Sequence, residues 1–289
     1  MAETTIAVIQ MASESDEAKN LDRAESLIRE AAVEEGAQVV VLPELFSTPY
    51  FCQEESSEHF RLARPASGNL FIERFARLAG QHRVVMPFSF FEKSESGEYF
   101  NSVAVIDADG TVLGVYRKSH IPHNPGYFEK RYFTPGDKPP QVWGTRYGRI
   151  GIGICWDQWF PEAARLMVLA GADLLLYPST IGTEPADPDY DSFPAWRHTM
   201  QGHAAANVIP VAAANRIGVE AAGTTRMTFY GRSFISDQQG SVVASLNDAE
   251  GIAVASFDLD AIRTQRSGWN VLRDRRPDLY GPRTQSNED

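Results

Sequence analysis

Short apolar runs recur along this chain, and segments with helical spacing of apolar residues separate several of them. Thr4–Met11 reads as a buried strand. In the segment 13–36, Ala18, Leu21, Ala24, Leu27, Ile28, Ala31 and Ala32 fall at three- and four-residue steps, which predicts a helix. Ser15 or Asp16 can cap its start, and Gly36 can end it. The β-branched run 37–44 predicts a strand leading into Pro43 and Glu44. A second helix is expected over Gly68–Gly80. Segments 83–93, 98–110 and 111–118 read as three strands, the last two joined by an Asp109-Gly110 turn. Ser119–Pro140 reads as a long loop rich in proline and glycine, of a length that is often functional. Segment 141–155 reads as a hairpin turning near Tyr147-Gly148. A helix over 161–171, a strand over 172–179 and an acidic loop over 180–192 follow. A helix over Phe193–Asn207 leads to a strand over 208–215. Segment 226–246 reads as one hairpin turning near Gln239-Gly240, segment 251–262 as a further strand, and the chain after about Asn270 as an extended tail. Strands this numerous, with helices between some of them, suit paired β-layers covered by outer helices in an α/β domain. No repeat, low-complexity tract or linker divides residues 1–289, which read as one domain.

Composition narrows the class. Of 289 residues, 43% are hydrophobic and 22% charged, ordinary for a globular protein with a sizeable core. Lys and Arg number 27 against 38 Asp and Glu, a net charge of −11. That excess repels nucleic acid and anionic membrane surfaces and suits a cationic ligand better. Two cysteines, Cys52 and Cys155, do not make a disulfide scaffold. The N-terminus has no basic start followed by an apolar run, and no stretch has the ~18 apolar residues of a membrane span. The expected location is the cytoplasm.

Three chemically unusual residues stand at or just past strand ends. Glu44 follows "VVVLP", Lys118 follows "TVLGVYR", and Cys155 follows "RIGIGI". Ligands commonly bind at the carboxyl ends of strands in helix-covered sheets. If these strands run side by side in parallel, a carboxylate, an ammonium and a thiol meet there. A neighbouring ammonium favours the thiolate, and a carboxylate can take the thiol proton. The ammonium and the Trp156 backbone N–H can then stabilise an oxyanion. Read singly, Glu44 and Lys118 also fit solvated surface charges, and Cys155 fits a packed thiol. Their shared position is what joins them.

The segments "VVVLPEL", "YRKSHIP…EKRYFTPGD" and "GIGICWDQWFPEAARLM" together resemble the nitrilase superfamily of carbon–nitrogen hydrolases, over roughly residues 4 to 260. The resemblance implies a four-layer α-β-β-α sandwich. It implies a Glu44-Lys118-Cys155 triad, with Glu129 holding Lys118 and orienting the substrate. It also implies at least a dimer, assembled through outer helices. "CWDQWFPEAAR", "YPSTIGTEP" and "WRHTMQGHAAANVIPVAAANRIG" resemble the branch that hydrolyses the carbamoyl group of a carbamoylated diamine to the diamine, carbon dioxide and ammonia. No cofactor or metal is implied. In the loop 180–192, Glu184 matches that branch and suits the distal ammonium of such a substrate. Asp187, Asp189 and Asp191 read as solvated charges.

One position departs from the pattern. The family loop carries an aspartate after "HIP", where this chain has His123. That widens the substrate class to other amides of the superfamily, such as a β-ureido acid or an ω-amide. The "GIG" before Cys155 lacks the full glycine spacing of a nucleotide loop. His120 and His123 lack a ligand partner at metal spacing, and His198 and His203 do not share a helix face. Cys52 reads as a packed or pocket-edge thiol.

Overall fold

The computed structural model describes residues 3–187, 189–223 and 225–280. In chain order its elements are β1 (Thr4–Gln10), α1 (Glu17–Val33), β2 (Val39–Val41), α2 (Leu70–His82), β3 (Met86–Lys93), β4 (Tyr99–Ile106), β5 (Val112–Arg117), β6 (Val142–Thr145) and β7 (Gly148–Ile152). Then follow α3 (Pro161–Leu169), β8 (Leu174–Pro178), α4 (Phe193–Asn207), β9 (Val211–Ala214), β10 (Ile217–Ala222) and β11 (Thr225–Tyr230). The chain continues through β12 (Phe234–Ser236), β13 (Val242–Ser245), β14 (Gly251–Phe257) and α5 (Leu259–Trp269).

Two sheets face one another. The first has the order β14-β1-β2 and continues into β3-β4-β5 through a parallel bridge between Val39 and Val85. The second has the order β13-β12-β9-β8-β7-β6. Three separate apolar cores show four layers. Ile6, Val8, Val41, Val105, Ile152, Leu176 and Ala214 fill the space between the sheets. Leu21, Leu27, Ile28, Phe75 and Leu78 seat α1 and α2 on the first sheet. Met167, Val168, Trp196 and Met200 seat α3 and α4 on the second. The fold is the α-β-β-α sandwich, in which each sheet buries both faces and its strands read as continuous apolar runs.

Local sequence explains the elements that frame the site. Asp16 caps α1 by accepting from the Ala18 and Lys19 N–H groups. The glycines before Cys155 answer to packing. A Cβ at Gly151 would stand 2.8 Å from the Met167 sulfur, and one at Gly153 would stand 2.7 Å from the Tyr177 ring. They let α3 and β8 close on β7, and no phosphate cradle is involved.

Three expectations are corrected. Segment 226–246 is not one hairpin: β11 pairs with β10, and β12 pairs with β13. The strand β10 went unread because "IGVEAA" is short and built mostly of small residues, none of them fully buried. Segment 251–262 is not one strand either. Asp258 stops β14 and caps α5, whose Leu259 and Ile262 enter the core between the sheets. Of the expected tail, Leu272 packs against the α3–α4 core, Pro277–Leu279 forms a 3-10 turn, and residues past 280 lie outside the described residues. No helix among the described residues is long and apolar enough to cross a membrane.

Candidate active site

A fourth correction places the chemistry. Glu44 and Lys118 belong to the first sheet and Cys155 to the second, so the three strands are not neighbours in one parallel sheet. They meet where the carboxyl ends of β2, β5 and β7 converge across the sandwich.

Cys155 begins a 3-10 turn, Cys155–Trp159, directly after β7. Its φ is 40°, a left-handed conformation that strains any residue but glycine. Asp157 holds this elbow. Its carboxylate accepts from the Ile154 N–H at 2.9 Å, the Tyr116 hydroxyl at 2.7 Å, the His120 N–H at 3.0 Å and His120 Nδ1 at 2.7 Å. The His120 ring stacks on Phe160 with centroids 3.6 Å apart. Asp157 thus ties the chain just past Lys118 to the turn that carries the thiol.

Lys118 is fully buried between two carboxylates. Its Nζ donates to Glu44 Oε1 at 2.9 Å and to Glu129 Oε2 at 2.6 Å. Asn101 donates to Glu44 Oε1 at 2.6 Å, and the Tyr50 hydroxyl donates to Glu129 Oε1 at 2.8 Å. Glu44 Oε2 is buried without a hydrogen-bond partner among the described residues. A buried, unpaired carboxylate oxygen is a ready proton acceptor. Thr180 links the carboxylate to the thiol: its hydroxyl donates to the Glu44 carbonyl at 2.8 Å, and its own carbonyl accepts from Cys155 Sγ at 3.7 Å.

Electrostatics alter one expectation. Burial would lower the Lys118 ammonium, but Glu129 and Glu44 outweigh it and hold it well above the ordinary range. For Cys155, burial pushes the thiol well above its ordinary range, Glu44 adds to the push, and Lys118 opposes it. That shift favours the neutral thiol over the thiolate at rest. Burial also pushes Glu129 up to about 7, against the pull of Lys118.

That value gives a test. The Tyr50 hydroxyl bond lowers the Glu129 pKa, so Tyr50→Phe raises it. With Glu129 helping to keep Lys118 charged, the acid limb of the pH–kcat profile should move upward, by about half a unit to one unit for one hydrogen bond. A limb that stays put or moves down removes Glu129 from this role.

Trp156 takes the next position of the 3-10 turn, where a backbone N–H has no acceptor within the turn. Glu184 is half-buried and lines a cavity of about 520 Å³ with Pro125, Gly126, Phe128 and Arg226. Burial raises its carboxyl, and Asp187 adds to the shift. Asp187, Asp189 and Asp191 are exposed. The Tyr127 hydroxyl lies next to the chain before Glu184, donating to the Thr183 carbonyl at 3.4 Å and accepting from the Gly182 N–H at 3.2 Å. Burial raises both Tyr127 and Tyr230, and the charges of Cys155 and Glu184 act on each of them. A larger cavity, about 1070 Å³, lies outside α3 and α4 and touches none of the triad, so volume alone would mislead. Cys52 and Cys155 are both free and buried.

Tyr50, Asn101, Asp157, Thr180 and Arg216 were not legible as site residues. Arg216 carried a signal nonetheless, because it closes the apolar run "VAAAN" as Glu44, Lys118 and Cys155 close theirs.

Comparison with known proteins identifies relatives of the whole chain. The family model described as carbon-nitrogen hydrolase matches residues 5–267. An N-carbamoylputrescine amidase of Oryza sativa subsp. japonica is 51% identical over 284 residues, covering 96% of this chain and 94% of that protein. A citrullinase of Francisella tularensis subsp. tularensis is 48% identical, covering 97% and 98%. The crystal structure of a carbon-nitrogen hydrolase from Helicobacter pylori superposes with a TM-score of 0.88 at 40% identity, covering 96% of this chain and 97% of that one.

Proposed function

The chain belongs to the carbon-nitrogen hydrolase family, a C–N hydrolase of the nitrilase superfamily, and from that premise we propose that it hydrolyses N-carbamoylputrescine to putrescine, carbon dioxide and ammonia. The observation that carries the reading is the buried chain Glu129–Lys118–Glu44, with an unpaired Glu44 oxygen, joined through Thr180 to a thiol held at a strained elbow.

Glu44 takes the Cys155 proton as sulfur attacks the ureido carbon. Lys118 and the Trp156 N–H hold the oxyanion. Ammonia leaves with the proton returned by Glu44, and the carbonyl remains on sulfur with the alkylamine still attached. Water, deprotonated by Glu44, attacks that thiocarbamate. The thiol leaves reprotonated, and the released carbamate falls apart to amine and carbon dioxide. Nucleophile, acid–base group and oxyanion donor all come from this chain, so the reading invokes no cofactor.

Glu184 receives the distal ammonium, with Tyr127 and Tyr230 flanking the methylenes between it and the thiol. Glu184→Gln should raise KM for N-carbamoylputrescine by about 10- to 100-fold with a smaller change in kcat, as expected for one lost charge-assisted contact. N-carbamoylbutylamine, which lacks that ammonium, should respond to the substitution little or not at all. Equal losses on both substrates remove Glu184 from recognition.

A second reading, a ureido amino acid as substrate, is favoured by Arg226, which lines the same cavity as Glu184 and can face a carboxylate. His123, where the family pattern has an acid, packs edge-on to Phe128 of that cavity. Side-by-side kinetics with N-carbamoylputrescine, citrulline and N-carbamoyl-β-alanine separate the readings. The larger kcat/KM identifies the head group.

A further inference from the structure

The turn from Glu44 to Tyr50 carries two members of the buried site. Glu44 has an oxygen that is buried without a partner among the described residues, and Tyr50 holds Glu129. The turn lies in neither sheet, and Leu45 adopts φ 49°, a left-handed conformation. Buried backbone carbonyls in such a turn need partners that regular structure does not supply.

Arg216 supplies them. It is fully buried at the joint between β9 and β10. Its Nη2 donates to the Leu45 carbonyl at 2.9 Å and the Glu44 carbonyl at 3.2 Å, and its Nη1 donates to the Thr48 carbonyl at 2.9 Å. Nη1 also donates to Glu220 Oε1 at 2.7 Å. The other oxygen of Glu220 accepts from the Tyr50 N–H at 2.6 Å. One ion pair therefore grips the turn at residues 44, 45 and 48 through the guanidinium and at residue 50 through the carboxylate. The planar fork of arginine reaches several carbonyls at once, which the single ammonium of lysine does not.

We infer that Arg216 and Glu220 are positioning residues for the reaction, setting where Glu44 Oε2 stands relative to Cys155 Sγ. Asn101 and Lys118 fix only the other oxygen of Glu44. The direction of the carboxylate as a whole depends on the backbone at 44 and 45, which Arg216 holds in its left-handed course. Glu220 neutralises the guanidinium in its buried setting and keeps Tyr50 under Glu129. A displacement of about 1 Å at a proton acceptor is enough to lose about 100-fold in rate.

The inference rests on Glu44 as the base, and the test separates the two. Arg216→Lys, Glu220→Gln and Glu44→Gln are compared by steady-state kinetics on N-carbamoylputrescine, by iodoacetamide alkylation of Cys155 followed by peptide mapping, and by thermal unfolding. Arg216→Lys should lower kcat about 100-fold and Glu220→Gln about tenfold, each with KM within about threefold. Cys155 alkylation at neutral pH should slow in the same order. If Arg216→Lys does not fold, Glu220→Gln carries the test alone. A lowered unfolding temperature with kcat and alkylation unchanged means a merely structural pair and overturns the proposal. If Glu44→Gln loses both readouts while the pair variants keep them, the pair proposal fails by itself. If Glu44→Gln keeps both, the base assignment fails and takes this proposal with it.

Discussion

Cys155→Ala should leave a folded protein that releases no ammonia above background. Among the side chains described at the convergence of the three strands, the sulfur is the strongest nucleophile towards a ureido carbon, since the Lys118 nitrogen is held as an ammonium between two carboxylates. Glu44 and Lys118 are locked to one another, and Glu129 is locked to Lys118 and Tyr50. Removing the sulfur deletes the acyl carrier and splits no ion pair. Its hydrogen bond to the Thr180 carbonyl, at 3.7 Å, is weak. Stability should change by no more than about 1 kcal/mol, while kcat falls by at least about 10⁴-fold. Cys155→Ser should be nearly as inactive, because a hydroxyl gives up its proton far less readily than a thiol. Retained turnover in either variant, measured by ammonia release, would remove the thiocarbamate on Cys155 from the mechanism.

Glu44→Gln should lower kcat by about 10³-fold or more with little loss of structure. Gln is nearly isosteric. Its carbonyl oxygen can keep the bonds from Asn101 and Lys118 that Glu44 Oε1 now accepts, and its amide nitrogen then replaces the free Oε2. Only the proton acceptor is lost. Because burial keeps Cys155 a neutral thiol, no preformed thiolate compensates. Residual attack should accumulate a covalent adduct on Cys155, since the proposed mechanism also uses Glu44 to activate water. Mass spectrometry should find substrate minus ammonia on the Cys155 peptide. Full turnover with no adduct would sink the acid–base assignment.

The charge dependence of the site was only half legible. An ammonium beside a thiol favours the thiolate, and that inference needs nothing but residue types. Its strength depends on how much water each group loses. Here the thiol is deep enough for burial, with Glu44, to outweigh Lys118. Tyr50, Asn101 and Thr180 were invisible for a related reason. Nothing in their sequence surroundings separates them from other buried polar side chains, and only the packing of distant segments brings them to Glu44 and Glu129.

Local pattern by itself determined the long helices, the buried strands and the three reactive residues at strand ends. Capping, periodicity and a charge at the end of an apolar run act within a few residues. It could not determine that β11 pairs with β10, or that the chain turns at Asp258 into a helix, because a short, largely exposed strand is stabilised by its partner rather than its composition. The tertiary structure alone decided that Glu44 and Lys118 face Cys155 across two sheets, and that Arg216 grips the turn between them. Those contacts join residues far apart in the chain. They form when apolar faces are buried together, and no local preference encodes which buried polar group will then find which partner.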